Sequence, residues 1–264
     1  MRLQNRLEEL RRGGRKALSL FVTAGYPALR DTVPLVLELA ESGADLIELG
    51  MPFSDPVADG PTIQRSSEVA LSNGVTLRKT LELSRRIRAR SGVPLVLMGY
   101  ANPIYAHGLT EFLAECSDIG IDGTIIADLP PEESEHYVRT AKEQSLASIF
   151  LAAPTTSPAR LARLDGISTG FLYCVSITGV TGARRQVTDQ AREFLQRARA
   201  TVKKNPLLVG FGISTPDDAR HIAGMSDGVV GGSALFRALG NGSGKAVDRA
   251  GKFTRQLRRA LDSM

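Results

Sequence analysis

A short apolar run followed by an amphipathic stretch recurs eight times along this chain, and few folds accept that rhythm. The runs at residues 17–23, 45–49, 94–98, 123–127, 147–151, 170–175, 206–211 and 227–230 read as strands. They are continuously apolar, the pattern of parallel strands covered on both faces. Residues 30–42, 62–73, 77–90, 109–119, 131–144, 158–164, 188–203, 216–222, 234–239 and 244–262 read as helices. Eight such units in about 250 residues match the size of a (β/α)8 barrel. An open doubly wound sheet shares the alternation, but no Gly-x-Gly-x-x-Gly follows the first strand. The expected fold is therefore α/β: a single-domain (β/α)8 barrel over residues 1–264, with an extra N-terminal helix.

At 42% hydrophobic residues over 264 positions, the chain can bury a sizeable core. Its net charge of +5 is concentrated at the two ends. Residues 1–16 and 245–264 each carry +4, and the residues between them carry −3. A nucleic-acid enzyme more often spreads its positive charge over a binding groove. Cys116 and Cys174 are too few for a disulfide scaffold and sit in apolar stretches, as buried free thiols do. His107, His136 and His221 are far apart, and no ligand spacing suggests a metal site. The N-terminus shows no apolar signal region, so the expected location is the cytoplasm. Asp45, Asp122 and Asp227 each follow a helix-ending glycine and open a strand. Such turns lie on the stability face of a barrel, so these aspartates are read as structural.

Barrel chemistry lies where strands end. Glu48 sits inside the apolar run Leu46-Ile-Glu-Leu49, where an isolated carboxylate is costly unless paired, neutral or useful. It is either a proton carrier with a raised pKa or a carboxylate satisfied by backbone donors. Asp55 and Asp59 follow in a proline-stiffened loop, either held for chemistry or serving as turn and cap residues. Gly212, Gly232 and Ser233 lie after the last two strands, just before helices. Glycines there either allow tight turns or let backbone N–H groups and a helix terminus hold a phosphate. The long stretch 176–187, with Gly179 and Gly182, reads as a lid or a surface loop.

The run Glu48-Leu-Gly-Met-Pro-Phe-Ser-Asp-Pro-Val-Ala-Asp-Gly-Pro61 resembles the signature of the tryptophan synthase α subunit family. Thr23-Ala-Gly-Tyr-Pro27, Met98-Gly-Tyr-Ala-Asn-Pro103, Ala127-Asp-Leu-Pro130, Gly179-Val-Thr-Gly182 and Gly210-Phe-Gly-Ile-Ser214 follow in the family's order. The resemblance spans nearly the whole chain. It implies cleavage of indole-3-glycerol phosphate to indole and glyceraldehyde 3-phosphate. It also implies a β-subunit partner in an α2β2 heterotetramer, with pyridoxal phosphate on that partner and no cofactor or metal on this chain. By the resemblance, Glu48 transfers protons, Asp59 accepts the indole N–H and stabilises the cation, and Tyr173 orients Glu48 or the substrate hydroxyl. Gly182, Gly212, Gly232 and Ser233 hold the phosphate. Thr181 braces Asp59 from the lid, while Phe21, Ile63 and Tyr100 line the indole pocket. Asp55, Asn102, Pro103 and Asp128 resemble the partner-facing and coupling positions. Two readings share much of this pattern: a stand-alone lyase releasing free indole, and a catalytically silent partner of the β subunit. A third is another phosphate-binding barrel, such as a sugar-phosphate isomerase.

Overall fold

The computed structural model describes residues 2–175, 189–210, 212–240 and 245–264. Its strands are β1 (Ala17–Thr23), β2 (Leu46–Gly50), β3 (Leu95–Gly99), β4 (Gly123–Ile126), β5 (Ala147–Ile149), β6 (Leu151–Ala152), β7 (Leu172–Val175), β8 (Leu207–Gly210) and β9 (Gly228–Gly231). All pair in parallel, in the order β5-β4-β3-β2-β1-β9-β8-β7-β6. The two ends of that row are halves of one expected strand, split at Phe150. The first half pairs with β4 and the second with β7, so the barrel closes through the break. Phe150 keeps its carbonyl in the ladder, accepting from the Tyr173 N–H at 3.0 Å. Its ring is buried outside the strands, edge-on to Tyr137.

Around the strands lie α1 (Arg2–Arg12), a 3-10 turn (Leu29–Asp31), α2 (Thr32–Glu41), α3 (Pro61–Ser72), α4 (Leu77–Arg88), α5 (Ala101–His107) and α6 (Leu109–Ile119). They continue with α7 (Glu135–Glu143), α8 (Pro158–Ile167), α9 (Asp189–Thr201), α10 (Pro216–Ala223), α11 (Ser233–Leu239) and α12 (Ala246–Asp262). Helix α5 is not among the elements expected from the sequence, and it carries Pro103 at its third position. At the third position of a helix a proline forfeits no internal hydrogen bond, so the turn forms. Helix α7 starts four residues later than expected, since Pro130 to Ser134 turn before it.

Strand alternation splits the apolar residues into two layers. Leu18, Leu20, Val22, Ile47, Leu49, Leu95 and Leu97 face the helices. Ala17, Leu46, Val96, Ile125, Ile149, Phe171, Leu208 and Val230 fill the barrel. Leu3, Leu7 and Leu10 of α1 join this inner group and close the floor.

The three strand-opening aspartates tie that floor together. Asp45 accepts from the Leu18 N–H at 2.8 Å, Asp122 from Leu95 at 2.9 Å and Asp227 from Leu207 at 2.8 Å. Each supplies the acceptor that the first turn of a neighbouring strand lacks. Arginines meet the same carboxylates: Arg6 and Arg258 on Asp45, and Arg2 and Arg88 on Asp122. The periodicity of α12 reads as a solvated basic face, and Arg258 departs from it. It is buried, 2.9 Å from Asp45, because that carboxylate needs a cation inside the floor. Among the described residues, no helix is long and apolar enough to cross a membrane.

Candidate active site

Strand β2 presents Leu46 and Glu48 inward, and β2 lies between β1 and β3. In register, Glu48 stands beside Phe21 of β1 and Val96 of β3. It is fully buried. Its Oε1 accepts from the Ser19 hydroxyl at 2.6 Å, while its Oε2 is buried with no hydrogen-bond partner. Burial pushes its pKa up to about 7, and the Ser19 hydrogen bond pulls the other way. The carboxyl is therefore poised to hold or release a proton near neutrality.

Asp59 lies at the end of the β2–α3 loop, just before Gly60, which caps α3. Burial raises its pKa to about 6, opposed by a hydrogen bond from the Tyr100 hydroxyl. Tyr100 also accepts from the Ala58 N–H at 3.1 Å, so one phenol fixes the loop's end. That is more than the wall expected of it. Tyr173 extends inward from β7 and is nearly buried. Its phenol is pushed well up by burial, and then by the charges of Glu48 and Asp59. Tyr173 therefore senses both carboxylates, which brings the three residues into one site. Its ring rests where a side chain on Gly210 would sit: a Cβ there would lie 2.7 Å from the phenol oxygen.

A small cavity opens beside Asp59, lined by Phe21, Thr23, Gly50, Met51, Ser67, Met98, Gly99 and Tyr100. Gly50 leaves room for the Phe21 ring, since a Cβ would approach its Cζ to 2.5 Å. Phe21 in turn packs against Phe236 of α11, with centroids 6.0 Å apart. Ile63 is half-buried against the outer apolar layer and does not line this cavity.

On the rim, Gly212 adopts φ +36° and is exposed. Gly232 precedes α11, whose first residue is Ser233. Both are half-buried, and a Cβ on Gly232 would meet nothing nearer than 3.8 Å. Arg237 of α11 donates to the Ser214 hydroxyl at 2.7 Å, placing a cation beside these turns. Thr181, Gly182 and the expected lid lie outside the described residues. Asp55 and Asn102 are exposed, and Pro103 is half-buried on α5. Asp128 is exposed and accepts from the Ala101 N–H at 2.8 Å, anchoring the start of α5. Among the described residues, no group of three or more His, Cys, Asp or Glu is arranged to hold a metal ion.

Sequence reasoning passed over Ser19, Met51 and Met98. For Ser19 the sequence offers only a hydroxyl inside the apolar run Ala17-Leu-Ser-Leu-Phe21, and it takes the fold to show it fully buried and in need of a partner.

A nearly closed barrel of parallel strands ringed by helices, with two buried carboxyl groups toward the carboxyl ends of its strands, has the architecture of a barrel enzyme. The tryptophan synthase alpha chain family matches residues 7–262. The chain is 47% identical to the tryptophan synthase alpha chain of Geobacter sulfurreducens, over 98% of each protein. It is 45% identical to that of Geotalea uraniireducens, over 100% of this chain and 98% of the relative. Its fold matches the crystal structure of tryptophan synthase subunit alpha from Legionella pneumophila with a TM-score of 0.91. That match is 36% identical and covers 100% of this chain and 99% of the other. A structure of Mycobacterium tuberculosis tryptophan synthase aligns with a TM-score of 0.90 at 38% identity, over 98% of each chain. The chain thus belongs to the tryptophan synthase alpha chain family, lyase subunits that cleave indole-3-glycerol phosphate to indole and glyceraldehyde 3-phosphate and work with a β subunit that carries the pyridoxal phosphate.

Proposed function

We propose that Glu48 is the proton-transfer group of this cleavage, with Asp59 and Tyr173 as its partners. The observation that supports this most is the buried carboxyl itself, with its pKa near 7 and one oxygen unpartnered. The acid form delivers its proton to indole C3. This makes a cationic indolenine whose N–H hydrogen-bonds to the Asp59 carboxylate, which offsets the positive charge. The bond from C3 to the glycerol carbon then breaks, and its electron pair returns to the ring. The hydroxyl on the departing carbon gives its proton back to Glu48 as the aldehyde forms. The carboxyl ends as it began, which suits a group with a pKa near the working pH.

Phe21, Met98 and Tyr100 suit the indole ring, while Ile63, expected beside them, does not line that cavity. Gly212, Gly232 and Ser233 suit the phosphate, and their support is open backbone beside the α11 start with Arg237 close by. By resemblance, Gly182 joins the phosphate-holding residues and Thr181 belongs to the lid. Asp55, Asn102, Pro103 and Asp128 form the proposed β-facing rim in a cytoplasmic α2β2 complex. We read residues 1–264 as one domain. The test is indole release from indole-3-glycerol phosphate by the purified chain, with and without a β subunit. Slow release that rises with the β subunit, and is lost in Glu48→Gln with the circular-dichroism spectrum intact, supports the assignment. A Glu48→Gln variant that keeps most of its kcat removes Glu48 from the mechanism. Fast release indifferent to the β subunit points to a stand-alone lyase.

A further inference from the structure

We propose that Ser19 is a positioning residue for Glu48, holding one carboxyl oxygen so that the other carries the proton. The inference rests on the lyase reading above and adds a residue to it. Ser19 is fully buried on β1, between the inward residues Ala17 and Phe21. Register pairs it with Leu46, one step below Glu48 along β2. It therefore reaches Glu48 from the floor side and donates to Oε1 at 2.6 Å.

An interior filled with leucine, valine and isoleucine has no packing need for a hydroxyl, and a buried one is costly without a partner. The bond commits Oε1 as an acceptor. In the acid form the proton then sits on Oε2, the oxygen that is buried and unpartnered. After Oε2 gives that proton to C3, the Ser19 hydroxyl remains to stabilise the carboxylate until the substrate hydroxyl returns a proton. Among the described residues, the titratable group that interacts with Glu48 is Tyr173 from β7, which also feels Asp59 from the loop after β2. The other inward neighbours of Glu48, Phe21, Val96 and Met98, do not titrate.

The experiment titrates Glu48 by carbon-13 NMR in glutamate-labelled full-length chain, with Glu48→Gln assigning the signal. The pH profile of kcat/KM is measured on the same proteins with the β subunit. Loss of the donor in Ser19→Ala raises the Glu48 midpoint by about one pH unit, a charge-assisted hydrogen bond expressed on the pKa scale. The alkaline limb of kcat/KM, where Glu48 loses the proton it must donate, moves up with it. KM for the substrate stays near its parental value, and Ser19→Thr returns both midpoints toward the parent. An unmoved midpoint in Ser19→Ala overturns the proposal, whatever happens to the rate. A moved midpoint in a parent chain that releases no indole with or without the β subunit overturns the lyase reading instead.

Discussion

Replacing Glu48 by glutamine should stabilise this protein in alkali while abolishing its activity. Glu48 is fully buried, and its pKa rises from an ordinary 4.5 to about 7 on folding. The folded state therefore holds the proton more tightly than the unfolded chain does. Below pH 4.5 both states are protonated and the site costs nothing. As pH climbs from 4.5 toward 7 the unfolded chain gains by ionising while the folded carboxyl must stay protonated, so stability is lost until the folded carboxyl ionises too, above 7. A separation of this size corresponds to about 3 kcal/mol once pH exceeds 7, most of it developing between pH 5 and pH 8. Glutamine keeps the shape and can still accept from Ser19, but it does not titrate. Its amide leaves the same cost at every pH, so the quantity to read is the change in the mutant–parent difference. Urea unfolding of both proteins at pH 5 and pH 8 supplies it. Other titrating groups, Asp59 among them, are common to both and cancel. The glutamine variant should gain about 2 kcal/mol or more on the parent across that range, equivalent to a rise of roughly 5–10 °C in relative Tm. Parallel stability curves for the two proteins refute the reasoning, because Glu48 would then be solvated or paired.

Four further outcomes follow from the same geometry. Asp59→Asn should lower kcat by about 10²–10³-fold, as expected when a group stabilising transition-state charge is lost, and should erase an activity limb expected near pH 6 in the parent; a limb that persists in Asp59→Asn belongs to another group. Asp45→Ala should cost about 3 kcal/mol or more in urea unfolding, because it strips Arg258 and the Leu18 N–H of a buried acceptor; a loss below 1 kcal/mol makes that floor contact dispensable. Ser233→Asp should raise KM by about tenfold or more with kcat held, through repulsion of the phosphate; an unchanged KM moves the phosphate elsewhere. Gly50→Ala should drive the Phe21 ring out of place, costing about 1–3 kcal/mol and raising KM, which steady-state kinetics and thermal unfolding check together.

The barrel was legible because a strand buried on both faces has no polar face to mask its apolar run. The edges of most strands fall within a residue or two of their expected places for that reason. The split at Phe150 was not legible, since Leu146 to Ala152 stay apolar apart from Ser148 whichever way the chain bends. The same asymmetry runs through the site. Glu48 could be read because a charge inside Leu46-Ile-Glu-Leu49 is anomalous on its own. Ser19 could not, because strands tolerate serine and its meaning depends on a partner 29 residues away. Tyr100 read as a wall because sequence shows an aromatic ring but not where its hydroxyl points. Arg258 was lost among the arginines of α12, because periodicity gives a face and not the carboxylate that draws one side chain in.

The two ends of the barrel handle charge in opposite ways, and the contrast explains how the site can exist. On the floor, Asp45 and Asp122 are buried, and each is matched by two arginines and a backbone N–H. Those carboxylates need no proton to be stable. Toward the mouth, Glu48 has one hydroxyl partner and Asp59 one phenol, and no arginine or lysine is paired with either among the described residues. A cation at that depth would draw both pKa values down and leave two permanent carboxylates unable to donate a proton. The floor must therefore supply what the mouth withholds. The aspartate and arginine network holds α1, α12 and the strand starts in place, and α1 packs Leu3, Leu7 and Leu10 against the inner layer. In an interior packed and fixed this way, a buried carboxyl group with a single hydroxyl partner keeps a pKa near 7. The proton transfer proposed for Glu48 thus rests on ion pairs at the opposite end of the strands, far from the cavity beside Asp59.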